Sequence, residues 1–209
     1  MSHSPAKGLL IAFEGIDGAG KSTQASAVSE KLNALGYDSI YLREPTHGPY
    51  GMRLRQLMIA GRDSVSPEEE FRLFLADRQE DVELNIAPAL SRGAIVCVDR
   101  YYISSMAYQG ALGLDPEYIR RENEKIAPRP NLVLYFWLPV EEAVGRIRKS
   151  RRGGQNLFEV EAYQRRVSQV FDSITNPPLV RLDATTEPKS LTDQATELIL
   201  KLKKSGSQS

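Results

Sequence analysis

Residues 13–23 have the sequence Phe13-Glu14-Gly15-Ile16-Asp17-Gly18-Ala19-Gly20-Lys21-Ser22-Thr23, which contains the pattern G-x-x-x-x-G-K-S/T between Gly15 and Ser22. A short apolar run, Leu9 to Phe13, precedes the pattern and has the length of a β-strand. A helical pattern follows, with Ala25, Val28 and Leu32 on one face. Strand, glycine-rich turn and helix together predict a phosphate-binding loop, and a chance match in a glycine-containing turn does not account for this context.

The residue types of this loop suit phosphate. Glycines allow successive backbone N–H groups to point at phosphate oxygens, and the new helix adds its positive N-terminal end. Lys21 is predicted to reach the β- and γ-phosphates, and the Ser22 hydroxyl is predicted to hold a magnesium ion. The whole loop is therefore a predicted nucleotide site, formed by Gly15, Ile16, Asp17, Gly18, Ala19, Gly20, Lys21, Ser22 and Thr23.

Composition narrows the function classes. The chain has 209 residues, with 27 Lys and Arg and 27 Asp and Glu, so its net charge of zero favours neither nucleic acid nor an anionic membrane as a partner. No apolar run has the length of a membrane span, and no signal-peptide pattern is expected at the N-terminus. The single cysteine, Cys97, lies in an apolar strand pattern and is predicted to be a core residue. A cytoplasmic enzyme acting on small molecules is the expectation.

Strand and helix patterns alternate along the chain. Apolar strands are predicted at residues 9–13, 39–42, 94–98, 132–138 and 179–182, with helical patterns between them. Ser66, Pro67 and Glu69 predict a helix start, and this helix is expected to reach about Leu90, although Pro88 favours an earlier end or a kink. The pattern predicts an α/β fold, a three-layer doubly wound domain with five parallel strands. One domain is expected over residues 1–209, with a core at about 8–203 and a mobile flap at about 148–157.

Charged residues follow several of the predicted strands. In a parallel sheet, ligands lie outside the carboxyl ends of the strands, which should gather Arg43, Asp99 and Arg100 near the phosphate loop. Asp99 suits a magnesium-orienting role, although it could instead cap the next helix, and Arg100 suits a phosphate clamp. Arg151 and Arg152, beside two glycines, indicate either a mobile basic flap or a solvated surface loop.

Several of these stretches resemble thymidylate kinases (dTMP kinases), P-loop kinases of nucleoside monophosphates. The similarity covers residues from about 8 to 200. It is carried by residues 13–24, Arg43-Glu44-Pro45, Phe74-x-x-Asp77-Arg78, Asp99-Arg100-Tyr101, Ala107-Tyr108-Gln109-Gly110, residues 127–134 and Phe158-Glu159. The Asp17 form of the phosphate loop, together with Asp-Arg-Tyr and Ala-Tyr-Gln-Gly, is specific to that family.

The resemblance implies ATP as phosphoryl donor, Mg2+, dTMP as acceptor and commonly a homodimer. Phe74 would stack on thymine, Arg78 and Gln109 would bind the edge of the ring, and Tyr108 would lie against the deoxyribose. The acceptor phosphate would meet Arg100, with Asp17 facing it. Further acceptor contacts would come from Arg43, Arg55 and Ser105, and the adenine of ATP would lie between Arg146 and the Ala184-Thr185 loop.

The residues alone leave Phe74 open, because Phe71, Phe74 and Leu75 also fit the core stripe of an amphipathic helix. Phe74 and Arg78 are four residues apart on one helix face, so a ring stacked on the first can meet the guanidinium of the second.

The chain departs from the family in two places. Many members continue Arg-Glu-Pro with Gly-Gly-Thr, whereas residues 46–48 here are Thr46, His47 and Gly48, which puts the acceptor preference in question. Many members also carry Asp-Arg where this chain has Asn156-Leu157. Because Gly18 stands where some members have a catalytic arginine, the catalytic arginine is expected from Arg148, Arg151 or Arg152.

The expected reaction is therefore transfer of the γ-phosphoryl group of ATP to the 5′-phosphate of dTMP, which gives dTDP and ADP. A kinase of the same build for another nucleoside monophosphate or a deoxynucleoside stays open as an alternative. A nucleotide-hydrolysing switch and a non-catalytic binding protein are the other classes. The presence of Lys21, Ser22, Asp99 and Arg100 disfavours the last of these.

Overall fold

The computed structural model describes residues 8–60, 65–150 and 157–206. Its centre is a parallel sheet of five strands, β1 (Leu9–Glu14), β2 (Ser39–Arg43), β3 (Ile95–Asp99), β4 (Leu132–Trp137) and β5 (Leu179–Asp183). The strand order is β2-β3-β1-β4-β5. All pairings are parallel, with Phe13 opposite Asp99 on one side of β1 and opposite Leu134 on the other. The α/β fold class predicted from the alternating pattern is confirmed.

Helices connect the strands and cover the sheet. In chain order they are α1 (Lys21–Ala34), α2 (Pro49–Ala60), α3 (Pro67–Asp81), α4 (Ala87–Ser91), α5 (Tyr102–Gly110), α6 (Pro116–Glu124), α7 (Val140–Ser150), α8 (Leu157–Ser173) and α9 (Pro188–Gly206). Helix α1 packs against α9 and the sheet, and α5 packs against α3, α6 and α8. None of the helices in the described ranges is long and apolar enough to cross a membrane.

The long helix expected up to about Leu90 is helical from Pro67 to Ser91 but contains a π-helical turn. Helix α3 ends at Asp81, a π-helical turn occupies Val82–Ile86, and α4 begins at Ala87. Pro88 has no backbone N–H to donate, so it is tolerated near the start of a helix and not in its interior. The run therefore reaches about Leu90 as expected, and the π-helical turn lies just before Pro88, the residue that favoured an earlier end or a kink. The helix start is as predicted, since Ser66 and Glu69 form a reciprocal capping box.

The core lies around β1 and β3, which are almost entirely buried. Phe13 of β1 stacks on Phe136 of β4, with ring centroids 5.6 Å apart. Cys97 is fully buried, and burial raises the pKa of its thiol to about 12, which agrees with the predicted core position. Strands buried on both faces leave their carboxyl ends as the place where polar side chains can collect.

Candidate active site

A cavity of about 630 Å³ opens at the carboxyl edge of the sheet. It joins the phosphate loop, the loop after β2, helix α3 and the start of α5. Many of the predicted site residues line it, namely Asp17, Gly18, Gly20, Lys21, Ser22, Thr23, Arg43, Arg55, Phe74, Arg78, Arg100, Ser105, Tyr108, Gln109 and Arg146. The predicted donor and acceptor regions therefore belong to one continuous space.

Other predicted residues lie beside this cavity or beyond what is described. Gly15, Ile16, Ala19, Asp99, Ala184 and Thr185 are not among its lining residues. Arg151 and Arg152 lie outside the described residues, as does most of the predicted flap, while Arg148 belongs to α7.

The phosphate loop curls through left-handed glycine conformations. Gly18 has φ +85°, and a Cβ placed there would lie 2.6 Å from the carbonyl oxygen of Ala143. Helix α1 starts directly after Gly20, which offers no side chain to cap it. The first N–H groups of α1 therefore remain available to an anion at the end where the helix dipole is positive.

Lys21 is held against the loop that it follows. Its Nζ donates to the carbonyl oxygen of Ile16 at 2.8 Å, and the side chain is buried. Burial lowers the pKa of the Lys21 ammonium from 10.5 to about 7, with nearby Arg100 acting in the same direction. An incoming phosphate would supply the negative charge that this buried cation lacks.

Ser22 and Asp99 meet across the gap between α1 and β3. The Ser22 hydroxyl donates to Asp99 Oδ2 at 2.5 Å, and Tyr41 and Arg43 approach the same oxygen at 3.3 and 3.5 Å. The other carboxylate oxygen, Oδ1, is buried without a hydrogen-bond partner. Asp99 does not cap the next helix, because α5 starts at Tyr102 and its N-cap makes no side-chain hydrogen bond.

Arg100 adopts a backbone conformation that is rare for a residue with a side chain. Its φ is +69°, in the left-handed region. The guanidinium pairs with the Asp17 carboxylate, donates to Ser104 Oγ at 3.1 Å and to the Tyr108 hydroxyl at 3.1 Å, and lies over the Tyr108 ring. Strained backbone concentrates at functional sites, where the surrounding contacts hold it in place.

Buried Glu14 supports that strained turn. Its carboxylate accepts from the Tyr101 N–H at 2.8 Å and from Ser104 Oγ at 2.5 Å. Burial raises the pKa of Glu14 from 4.5 to about 7, against the lowering effect of these hydrogen bonds. No role was predicted for Glu14, although a charged residue at the end of an otherwise apolar strand could have indicated one.

Phe74 and its neighbour Phe71 have different environments. Phe71 is 1% exposed and belongs to the core, where its ring meets the edge of Tyr118. Phe74 is half-buried, lies outside the core cluster and lines the cavity. The core-stripe alternative therefore holds for Phe71 and not for Phe74.

Arg78 and Gln109 form a polar wall next to Phe74. Arg78 is 1% exposed, and its terminal nitrogens bind Glu44 at 2.5 Å, Asn123 at 2.5 Å and Ser105 at 3.4 Å. Its Nε is buried with no hydrogen-bond partner, and so is Gln109 Oε1. One unsatisfied donor and one unsatisfied acceptor therefore remain in two residues that line the cavity.

The loop that departs from the family pattern is fastened to α3. Asp77 accepts from the Thr46 N–H at 2.9 Å and from the Thr46 hydroxyl at 2.6 Å. Arg55 donates to the carbonyl oxygens of Pro45 and Thr46, and the Glu44–Pro45 peptide is cis. Thr46 therefore stands in a structured turn.

Arg146 connects the phosphate loop to the end of β5. It donates to the carbonyl oxygens of Gly18 at 3.4 Å and Ala184 at 3.2 Å. The Ala184 N–H bonds to the Trp137 carbonyl oxygen at 2.8 Å, while Thr185 bonds to Asp183. Arg146, which lines the cavity, and the residue 184 loop are therefore adjacent.

A family model described as thymidylate kinase matches residues 13–195. The chain belongs to the thymidylate kinase family. A thymidylate kinase of Akkermansia muciniphila is 48% identical over 178 residues, which cover 85% of this chain and 84% of the relative. A thymidylate kinase of Desulfotalea psychrophila is 44% identical over 203 residues, 97% of each protein. A probable thymidylate kinase of Archaeoglobus fulgidus is 41% identical over 199 residues, 94% of this chain and 98% of the relative.

Two contacts in this member of the thymidylate kinase family escaped sequence reasoning. Gln164 of α8 donates to Asp17 Oδ2 at 3.1 Å and accepts from the Asp17 N–H at 3.2 Å. Glu44 pairs with Arg78, 34 residues away in sequence. Burial raises the pKa of Glu44 to about 8, opposed by the charge of Arg78. The partners of each pair are far apart in sequence, so no local pattern predicted either pairing.

Proposed function

We propose that this protein transfers the γ-phosphoryl group of ATP to the 5′-phosphate of dTMP, which forms dTDP and ADP. The observation that carries the proposal is the single cavity that joins a phosphate loop to an aromatic ring and an unsatisfied polar edge. The family membership and the named relatives support the same activity.

The donor nucleotide is proposed to bind at the phosphate loop. The N–H groups of the loop and the buried Lys21 would bind the phosphates, with the adenine between Arg146 and the Ala184-Thr185 loop. Ser22 and Asp99 fit a magnesium ion, since they offer a hydroxyl and a carboxylate whose Oδ1 has no partner, and Mg2+ prefers oxygen ligands. When bound, the ion neutralises charge on the β- and γ-phosphate oxygens.

The acceptor is proposed to bind between α3 and α5. Phe74 would stack on the thymine ring, and Arg78 and Gln109 would bind its edge. Tyr108 would contact the deoxyribose, with Ser105 nearby. Arg43, Arg55 and Arg100 would hold the 5′-phosphate, and Asp17 would face it.

The reaction requires positive charge more than a proton acceptor. The second pKa of a phosphate monoester is about 6, so the attacking oxygen is already largely ionised at neutral pH. The new P–O bond forms at this oxygen as the bond from the γ-phosphorus to the bridging oxygen of ADP breaks. Lys21, Arg100 and a flap arginine, from Arg148, Arg151 or Arg152, would stabilise the charge that spreads over the transferred group.

The test is an ADP-release assay with ATP and magnesium, run against dTMP, dUMP, dGMP, dCMP, UMP and thymidine. We expect dTMP to give the highest kcat/KM, and Lys21→Ala to be the inactive control. Preference for another acceptor would leave the fold and the kinase reaction unchanged and would point to the Thr46 loop as the source of the different specificity. ADP release that is independent of any acceptor would overturn the proposal in favour of a hydrolase.

We also propose that the protein is cytoplasmic, which its single buried cysteine supports, and that it is a homodimer, as the family resemblance implies. Sedimentation velocity measures the oligomeric state directly, since the dimer has twice the 23.3 kDa mass of the chain. A single species at the monomer mass across micromolar concentrations would contradict the dimer.

A further inference from the structure

We infer that Glu70 sets pyrimidine specificity by fixing the orientation of the Gln109 amide, an inference that rests on the proposed dTMP kinase function. Gln109 Nε2 donates to Glu70 Oε2 at 3.4 Å, and both side chains are buried. Gln109 lines the cavity and Glu70 does not. Glu70 is therefore a positioning residue, which acts through Gln109.

The chemistry of the pair decides which end of the amide is free. Either end of a glutamine amide can face a ligand, because its oxygen accepts and its nitrogen donates. A carboxylate offers acceptor oxygens, so the NH2 group of Gln109 must turn towards Glu70. Its Oε1 is the atom left without a partner, which is what the structure shows.

Arg78 adds a hydrogen-bond donor to the Gln109 acceptor. Glu44, Asn123 and Ser105 hold its two terminal nitrogens, and its Nε–H is left without a partner. Each of these two cavity-lining residues therefore keeps one buried atom without a partner, a donor in Arg78 and an acceptor in Gln109. A buried donor or acceptor that a ligand leaves unpaired costs its full desolvation free energy, so the pattern selects among ligands.

The thymine ring carries the complementary pattern. Its O4 is an acceptor and its N3–H is a donor, whereas cytosine has an N4 amino donor and an unprotonated N3 acceptor. A cytosine in the same position would place donor against donor at Arg78 and acceptor against acceptor at Gln109. If the Gln109 amide turned over, the second of these mismatches would disappear, and Glu70 is the group that prevents the turn.

The test compares dTMP with 5-methyl-dCMP, which keeps the methyl group, the sugar and the phosphate and changes only the ring edge. In Glu70→Gln the new amide can accept from or donate to Gln109, so both Gln109 orientations become available. We expect the ratio of kcat/KM for dTMP to that for 5-methyl-dCMP to fall about tenfold or more. The ratio of dTMP to dUMP, which share the ring edge, should stay unchanged.

Glu68→Gln is the matched control, because it removes the same charge from the same helix, where Glu68 accepts from Tyr118. It should leave both ratios at their wild-type values. An unchanged ratio of dTMP to 5-methyl-dCMP in a folded Glu70→Gln protein would overturn the inference. So would an equal loss of kcat/KM for the two nucleotides, which indicates a packing role only.

Gln109→Met is a second variant that tests the inference if the Glu70→Gln protein does not fold. It removes the acceptor, so kcat/KM should fall for dTMP far more than for 5-methyl-dCMP. Equal losses would show that no Gln109 oxygen contacts the ring edge, and the inference would fail. Failure of the proposed function can be told apart from failure of this inference. If the proposed function were wrong, the wild-type protein would already prefer an acceptor other than dTMP.

Discussion

Phe74 and Phe71 are three residues apart on α3, yet only Phe74 lines the cavity. We predict that Phe74→Ala raises the KM for dTMP by the equivalent of about 1–3 kcal/mol, the range of base–aromatic stacking, and leaves the KM for ATP nearly unchanged. Steady-state kinetics with each substrate varied in turn measures this. Equal effects on the two substrates would remove Phe74 from the acceptor site.

The matched control is Phe71→Ala. Phe71 is 1% exposed in the core, so its truncation should lower the free energy of unfolding by about 3–5 kcal/mol. Phe74→Ala should cost much less, since its half-buried ring contacts the cavity. Urea unfolding of the two variants therefore separates a ligand-binding ring from a core ring.

Glu14 predicts a pH dependence of stability. Its pKa is about 7 in the folded protein and near 4.5 when unfolded, so the folded state keeps a proton that the unfolded state releases. The stabilisation from this proton is fully present below pH 4.5 and is lost as pH rises through 7. A shift of this size corresponds to about 3 kcal/mol at most.

Glu14→Gln removes this titration, so wild type should lose stability relative to the variant between pH 5 and pH 8. Urea unfolding at four pH values in this range gives the difference. The exposed Glu30, substituted by Gln, serves as the control and should run parallel to wild type. A wild-type curve parallel to that of Glu14→Gln would contradict the elevated pKa.

At the scale of elements, the Thr46 turn is tied to α3 through Asp77. Thr46→Val keeps the shape of the side chain and removes its hydrogen bonds with the Asp77 carboxylate and the Gly48 N–H, so we predict a loss of about 1–3 kcal/mol of stability. The KM for dTMP should rise with it, since Arg55 is held by the same turn. The KM for ATP should not change.

Thr192→Val is the control for this prediction. Its hydroxyl donates to Gln24 and to the Pro188 carbonyl oxygen, within α9 and α1. A similar loss of stability is expected, without an effect on dTMP. If both variants changed the KM for dTMP alike, the Thr46 turn would have no special role in acceptor binding.

Features that depend on neighbouring residues were predictable from sequence. The strands, the phosphate loop and the Ser66 cap follow from apolar runs, glycines and capping residues within a few positions of one another. The site residues placed by resemblance, such as Phe74 and Gln109, were found at the cavity, but their binding roles remain predictions.

Features that depend on distant partners were not predictable. Gln164 reaches Asp17 across 147 positions, and Glu44 accepts a hydrogen bond from Arg78 across 34. These pairings depend on how α8, β2 and α3 approach the phosphate loop, and single-chain periodicity does not encode that approach.

At the scale of the whole molecule, the two substrates are proposed to bind parts of the chain that are far apart in sequence, from the phosphate loop to the Ala184-Thr185 loop. Ligands that bind only the folded state stabilise it by mass action, by about 2.7 kcal/mol at a hundredfold excess over Kd. For a chain of this size each kcal/mol raises Tm by about 2–4 °C. We therefore predict a Tm increase of about 5–10 °C with saturating dTMP, measured by differential scanning calorimetry.

The comparison ligand for that experiment is inorganic phosphate. It lacks a ring to stack on Phe74, so its effect on Tm at the same concentration should be small. A Tm increase with phosphate equal to that with dTMP would mean that the nucleoside half of the cavity contributes no affinity.

The ion pair between Arg100 and Asp17 is expected to favour binding of dTMP over inorganic phosphate. Gln164 holds the Asp17 carboxylate beside the Arg100 guanidinium, so this carboxylate competes with any incoming anion for Arg100. Because it belongs to the same chain, its effective concentration is high. A lone anion that displaces it exchanges one charged partner for another and gains little. We expect dTMP to gain the stacking and edge contacts in addition, so inorganic phosphate alone should occupy the site far less than the nucleotide does.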